Sequence, residues 1–72
     1  MYKTDNLALA AFLDANGNKV ADIVGDHKVT FIFKGSENIK DMVKSFYVGG
    51  QVSAIDYWNS IKKLKNFIYE RK

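Results

Sequence analysis

The sequence predicts one small α+β domain, a β-hairpin packed against three helices in the order α-β-β-α-α. Three observations carry that prediction. Two segments rich in β-branched and aromatic residues, 19–24 and 28–34, are separated by Gly25-Asp26-His27, the pattern of a hairpin. An alanine-bearing apolar run precedes them, and two segments of helical periodicity follow.

The first helix is expected near residues 5–15. Thr4-Asp5 offers a cap, and Leu7-Ala8-Leu9-Ala10-Ala11-Phe12-Leu13 has three alanines and no β-branched residue. A buried strand is the alternative, because periodicity does not settle a continuous apolar run of this length. Asn16-Gly17-Asn18 ends the element, since Gly and Asn tolerate the left-handed backbone found after helices. In the second strand Val29, Phe31 and Phe33 point to one face, and Thr30, Ile32 and Lys34 to the other. The Phe face is expected to be the core face.

Ser36 can cap the second helix, with Glu37 at its positively polarised start. Ile39, Met42, Val43, Phe46 and Tyr47 then recur with the spacing of one helix face, and Gly49-Gly50 closes the element. Ser53-Ala54-Ile55-Asp56 is a capping-box variant with Asp in place of Glu or Gln. It opens a third helix over residues 54–70, with Tyr57, Ile61, Leu64 and Ile68 as its core stripe and Phe67 on the flank. The expected core joins Leu9, Phe12, Ile39, Val43, Phe46, Ile61, Leu64 and Ile68 to the Val29/Phe31/Phe33 face.

A chain of 72 residues is one domain with a thin margin of stability, because so small a fold buries only about 60% of its unfolded surface. There is no cysteine and a single histidine, so neither a disulfide nor a Cys/His zinc site can make up the margin. An apolar core with ten aromatic residues must do so, alone or with a second copy of the chain. No basic stretch precedes the apolar run at residues 7–13, and that run is far shorter than the roughly 20 residues needed to cross a bilayer. The expectation is a cytoplasmic protein with no signal peptide, no membrane partner and no cofactor.

Net charge is +3, unevenly spread. Residues 1–61 hold six lysines and seven acidic residues, whereas residues 62–72 hold five basic residues and one acidic. The basicity thus belongs to one element at the C-terminal end, a modest footprint for an anionic partner.

The order and spacing of several residues resemble a family of short uncharacterised phage and bacterial proteins. Leu9-Ala10-Ala11-Phe12-Leu13, Gly17 and Val29-Thr30-Phe31-Ile32-Phe33 carry the front half of the resemblance. Val43, Phe46-Tyr47, Gly50, Val52, Ala54, Tyr57, Ile61, Leu64-Lys65 and Ile68 carry the back half. Nearly all are apolar or turn positions, Lys65 being the exception, so the resemblance implies a shared fold and a virus or prophage setting. It implies no activity.

Catalysis is not expected. His27 sits in the hairpin turn beside Asp26 without a pocket or a positioned partner, and Ser36, Ser45, Ser53 and Ser60 lie in no nucleophile-elbow context. Asp14-Ala15-Asn16-Gly17-Asn18 has oxygen ligands at alternate positions like a calcium loop. Its sixth and twelfth positions are Lys19 and Gly25 rather than Gly and Glu, so a helix stop explains it better. Gly49-Gly50 follows a helix and lacks the Gly-Lys-Ser/Thr sequence of a phosphate loop. The strand 28–35 has an aromatic pattern in common with RNA-recognition domains, but those need an exposed four-stranded face.

Two binding surfaces remain. On the third helix Trp58, Lys62, Lys65, Tyr69 and Lys72 follow one another by steps of four, three, four and three, which lines them up beside the core stripe. Lysines neutralise phosphates and aromatics stack on bases, so DNA or RNA is the expected partner, with Lys63 and Arg71 adding to the field. The plain alternative is a core-edge tryptophan beside lysines that favour a helix C-terminus. The rival surface is the outer hairpin face, Thr30, Ile32 and Lys34, with Ile32 and either Val20 or Ile23 forming an apolar spot. It would serve a homodimer or the inhibition of a host protein.

Overall fold

A computed structural model describes residues 1–25, 28–35 and 39–70 of the chain. The expected turn at Asp26-His27, the Ser36 cap with Glu37, and Arg71 and Lys72 lie outside the described residues. The elements are β1 (Tyr2–Thr4), α1 (Leu7–Ala15), β2 (Val20–Val24), β3 (Thr30–Phe33), α2 (Ile39–Tyr47) and α3 (Ala54–Glu70). The five expected elements occur in the expected order, so the fold is a mixed α+β domain. A short strand is added in front of them.

That added strand turns the hairpin into a three-stranded antiparallel sheet of order β1-β3-β2. Tyr2, Lys3 and Thr4 pair with Phe33, Ile32 and Phe31. Three residues with only one apolar member show no alternation of their own; pairing with the edge of β3 makes them a strand. The same pairing moves the start of α1. Thr4 is in the sheet, and its Oγ1 accepts the Asn6 amide at 3.1 Å. Asn6, rather than Thr4 or Asp5, caps the helix, its Oδ1 accepting the Leu9 amide at 3.3 Å.

The Phe face of β3 is the core face, with Phe31 and Phe33 buried against Leu9, Leu13, Ile39 and Leu64. α1 is buried along its length, from Leu9 through Asp14. A helix apolar on every side belongs in the middle of a fold, and α1 packs extensively on α3 and also meets α2 and β1. Phe12 meets the Phe46 ring edge-on at 5.3 Å, fixing α2 against α1.

β2 corrects one expectation. Residues 20 and 23 of a regular strand would face opposite sides, leaving one of Val20 and Ile23 outside. A bulge between Val20 and Asp22 inserts Ala21, so Val20 stands opposite Phe33 and Ile23 opposite Phe31. Both therefore pack on the core. The outer face carries Lys3, Ile32 and Asp22 in a row across the three strands.

Candidate nucleic-acid interface

The turn before α3 and the packing beneath it decide which side chains face outward. α2 ends where Val48 donates to the Lys44 carbonyl at 3.1 Å and Gly49 to the Phe46 carbonyl at 3.4 Å. Gly49 has φ +88°, a conformation that glycine adopts without strain. At Gly50 a Cβ would collide with the Ser45 hydroxyl and stand 2.6 Å from the Ser45 backbone carbonyl oxygen, so the turn favours a residue without a side chain here. Ser53 then caps α3 as its sequence suggests, its Oγ accepting the Asp56 amide at 3.4 Å.

The rotation of α3 is fixed from below. Leu64 is fully buried, Tyr57, Ile61 and Ile68 pack partly against the core, and the Tyr57 hydroxyl donates to the Ala8 carbonyl at 3.4 Å. Each residue of a helix lies about 100° round from the last. With positions 57, 61, 64 and 68 inward, positions 58, 62, 65 and 69 form a line on one flank. Trp58 and Tyr69 are 58% and 65% exposed, and Lys62 and Lys65 are exposed between them. Ile55, 72% exposed, extends the line by one step toward the helix start. Lys72 would be its next member and lies outside the described residues.

The other flank is the line Asp56, Asn59, Lys63, Asn66 and Glu70, and it is tied to α1. The Asp14 carboxylate, with its side chain 4% exposed, accepts the Ser60 hydroxyl at 2.8 Å and the Lys63 ammonium at 2.8 Å on Oδ2 and 3.0 Å on Oδ1. Asp56, Asn59 and Ala15 complete the walls of a shallow depression of about 250 Å³ around this cluster. Lys63 was expected to add to the positive field; instead its charge is matched by Asp14. Neither acidic residue of α3, Asp56 or Glu70, lies on the Trp58 line. Among the described residues the ion pairs are Lys63–Asp14 and Lys28–Asp5, and neither uses Lys62 or Lys65.

Sequence reasoning missed Asp14 and Ser60. The signal for Asp14 was an acid that directly continues an apolar run, at a helix C-terminus where the backbone dipole disfavours it. Nothing local marks Ser60 as its donor, since the two are 46 positions apart.

The rival surface is differently placed. Thr30 and Ile32 are half-buried and Lys34 is exposed. Among the described residues β3 is the central strand, with its backbone paired on both sides, and β1 and β2 stand at the edges of the sheet. Beside β2 a shallow groove of about 370 Å³ is lined by Val20, Ala21, Asp22, Ile23 and Phe67. Among the described residues no three His, Cys, Asp or Glu side chains gather as a metal site would require, and no helix is long and apolar enough to cross a membrane.

A family model described as "Domain of unknown function (DUF5659)" matches residues 1–70. No curated protein matches the chain, and no solved structure matches it.

Proposed function

We propose that this chain, which belongs to the DUF5659 family of domains of unknown function, is a small non-enzymatic binding module that holds nucleic acid on the exposed flank of α3. One observation carries the reading: two aromatic rings more than half exposed share a line with two exposed lysines, and both carboxylates of the helix lie on the other flank. Single exposed apolar residues need no explanation. Rings at either end of a pair of cations along one line match what a polyanion with stackable bases requires. Lys62 and Lys65 would neutralise phosphates, Trp58 and Tyr69 would stack on bases, and Lys72 would extend the track. A catalytic role for Ser60, three residues before a lysine, is not part of the proposal, because its hydroxyl is buried and donates to Asp14.

The phage or bacterial setting belongs to the same proposal and rests on the sequence resemblance. So does a cytoplasmic location, which suits a chain without cysteine.

Trp58 is the only tryptophan, so its fluorescence reports on the site itself. Titration with short DNA and RNA oligonucleotides should change that emission at low salt, and the binding should weaken as salt rises. An unchanged signal together with no retention of labelled oligonucleotide at low salt would remove the reading.

A second reading has its own observation. The helices gather on the Phe31/Phe33 face, which leaves Ile32 between Lys3 and Asp22 on the outer face, and among the described residues β2 stands at one edge of the sheet. Such an edge can add a strand from a second copy or from a host protein that the chain would inhibit. Sedimentation of the wild type and of Ile32→Asp tests the homodimer directly: a dimer that becomes a monomer in the variant supports it, and a wild-type monomer at high concentration opposes it.

A further inference from the structure

We infer that the exposed flank of α3 is built for an unpaired strand, with Trp58 and Tyr69 as two stacking stations and Lys62 and Lys65 as the phosphate contacts between them. The inference rests on the nucleic-acid reading above and names the form of nucleic acid.

The geometry of the line carries it. Eleven positions separate Trp58 from Tyr69, which is about 16 Å along the axis of a helix rising 1.5 Å per residue. Both rings stand more than half exposed, and the lysines lie four and seven positions beyond Trp58, in the middle of that span. The order along the helix is therefore ring, charge, charge, ring. A nucleic acid that satisfies all four must offer base faces at two separated points and phosphates between them.

Duplexes meet that demand poorly. Paired bases hide their faces in the stack and present edges in the grooves, which are read by hydrogen-bonding side chains rather than by rings. Phosphates of a duplex would engage Lys62 and Lys65 and leave Trp58 and Tyr69 in water. An unpaired strand turns its bases outward, and base-on-ring stacking works for every base because each has a π face. A strand keeping full base stacking advances about 3.4 Å per nucleotide, so the span between the rings takes at most about five nucleotides. A strand pulled out along the helix covers it with fewer.

The charge count sets a second expectation. Two phosphates neutralised on a single strand give a log–log salt slope of roughly −1.4, and a third at Lys72 gives about −2. A steeper slope would mean that lysines elsewhere on the chain share the contact.

The test uses labelled oligothymidylates from about two to about ten nucleotides long, and duplexes of the same lengths, at matched low salt, read by anisotropy. Affinity should rise steeply to about five nucleotides and then only slowly, and duplexes should bind at least about tenfold more weakly, the worth of one stacked base. Trp58→Ala and Tyr69→Ala should each cost the single strand about tenfold and leave duplex binding unchanged. Both residues are exposed, and circular dichroism checks that the variants stay folded. Duplex binding equal to or tighter than single-strand binding would overturn this inference and leave the nucleic-acid reading standing. Binding of neither form would overturn both. Single-strand binding that ignores both ring deletions would reduce the flank to a charge patch and overturn the stacking stations.

Discussion

On one flank of α3 Lys63 reaches a carboxylate buried in the end of α1, and Ser60 donates to the same group. On the other, Lys62 and Lys65 stand in solvent between two exposed rings. Lys62 and Lys63 are neighbours in sequence, yet a helical step of about 100° gives them opposite employment. One lysine satisfies a charge the fold has buried and so holds α3 on α1. The other is exposed and makes no ion pair among the described residues. Composition counts the two as equal; only the rotation of the helix, set by Leu64 and Tyr57, separates them.

The largest disturbance removes the residue that both flanks hang from. Leu64 is completely buried where α3 meets the core. Its truncation to alanine should cost about 3 kcal/mol or more, against a total stability of roughly 5 kcal/mol for so small a domain. Thermal unfolding of Leu64→Ala should begin near room temperature, and both flanks should be lost together. A Tm within a few degrees of wild type would show that α3 is not anchored as described.

Lys63→Met separates the flanks. The variant keeps the aliphatic stem and removes the ammonium, leaving Asp14 with Ser60 alone. The expected cost is about 2 kcal/mol in chemical denaturation, since an incompletely satisfied buried carboxylate is expensive and the partly exposed lysine end is softened by solvent. Oligonucleotide affinity of the folded variant should stay near wild type. An affinity loss as large as that expected for Lys62 would erase the distinction between the two lines.

Lys28–Asp5 supplies the smallest effect and isolates burial from pairing. The two meet at 2.7 Å on the surface. The hydrogen bond from Lys28, reinforced by its charge, holds the Asp5 carboxyl below its ordinary value of 3.8. A lowered folded-state value means that any stabilisation is present above that ordinary value and fades as pH falls through the lowered one. Asp5→Asn should therefore shift the denaturation midpoint barely at neutral pH, and not at all once the solution is acid enough to protonate Asp5 in both states. A difference that grows on acidification would contradict the assignment.

Much of this arrangement could be read from the chain, and the failures share a cause. α3 was legible from end to end because Ser53, the apolar stripe at 57, 61, 64 and 68, and the offset line at 58, 62, 65 and 69 are all local patterns. α1 was legible too, except for its cap, because β1 took Thr4 into the sheet. β1 itself, three residues long, exists only through its pairing with β3. The bulge at Ala21 has no marker in a strand without glycine, and it reversed the expected exposure of Val20 or Ile23. The Asp14 cluster joins residues 46 and 49 positions apart, beyond the reach of any spacing rule. What the sequence could not show in each case is a contact made by the folded chain.

The most direct test of the division between the flanks compares two variants of equal net charge. Lys62→Glu/Lys65→Glu reverses the exposed line of α3, and Lys40→Glu/Lys44→Glu reverses two exposed lysines of α2. Both should fold like wild type, as surface changes of this kind cost within about 0.5 kcal/mol. Titrated with single-stranded oligonucleotide at low salt, the α3 variant should lose binding by about a hundredfold, with a like charge now facing each phosphate, and the α2 variant should change by only a few-fold. Equal losses, or no loss in the α3 variant, would show that the exposed flank of α3 is an ordinary solvated helix face.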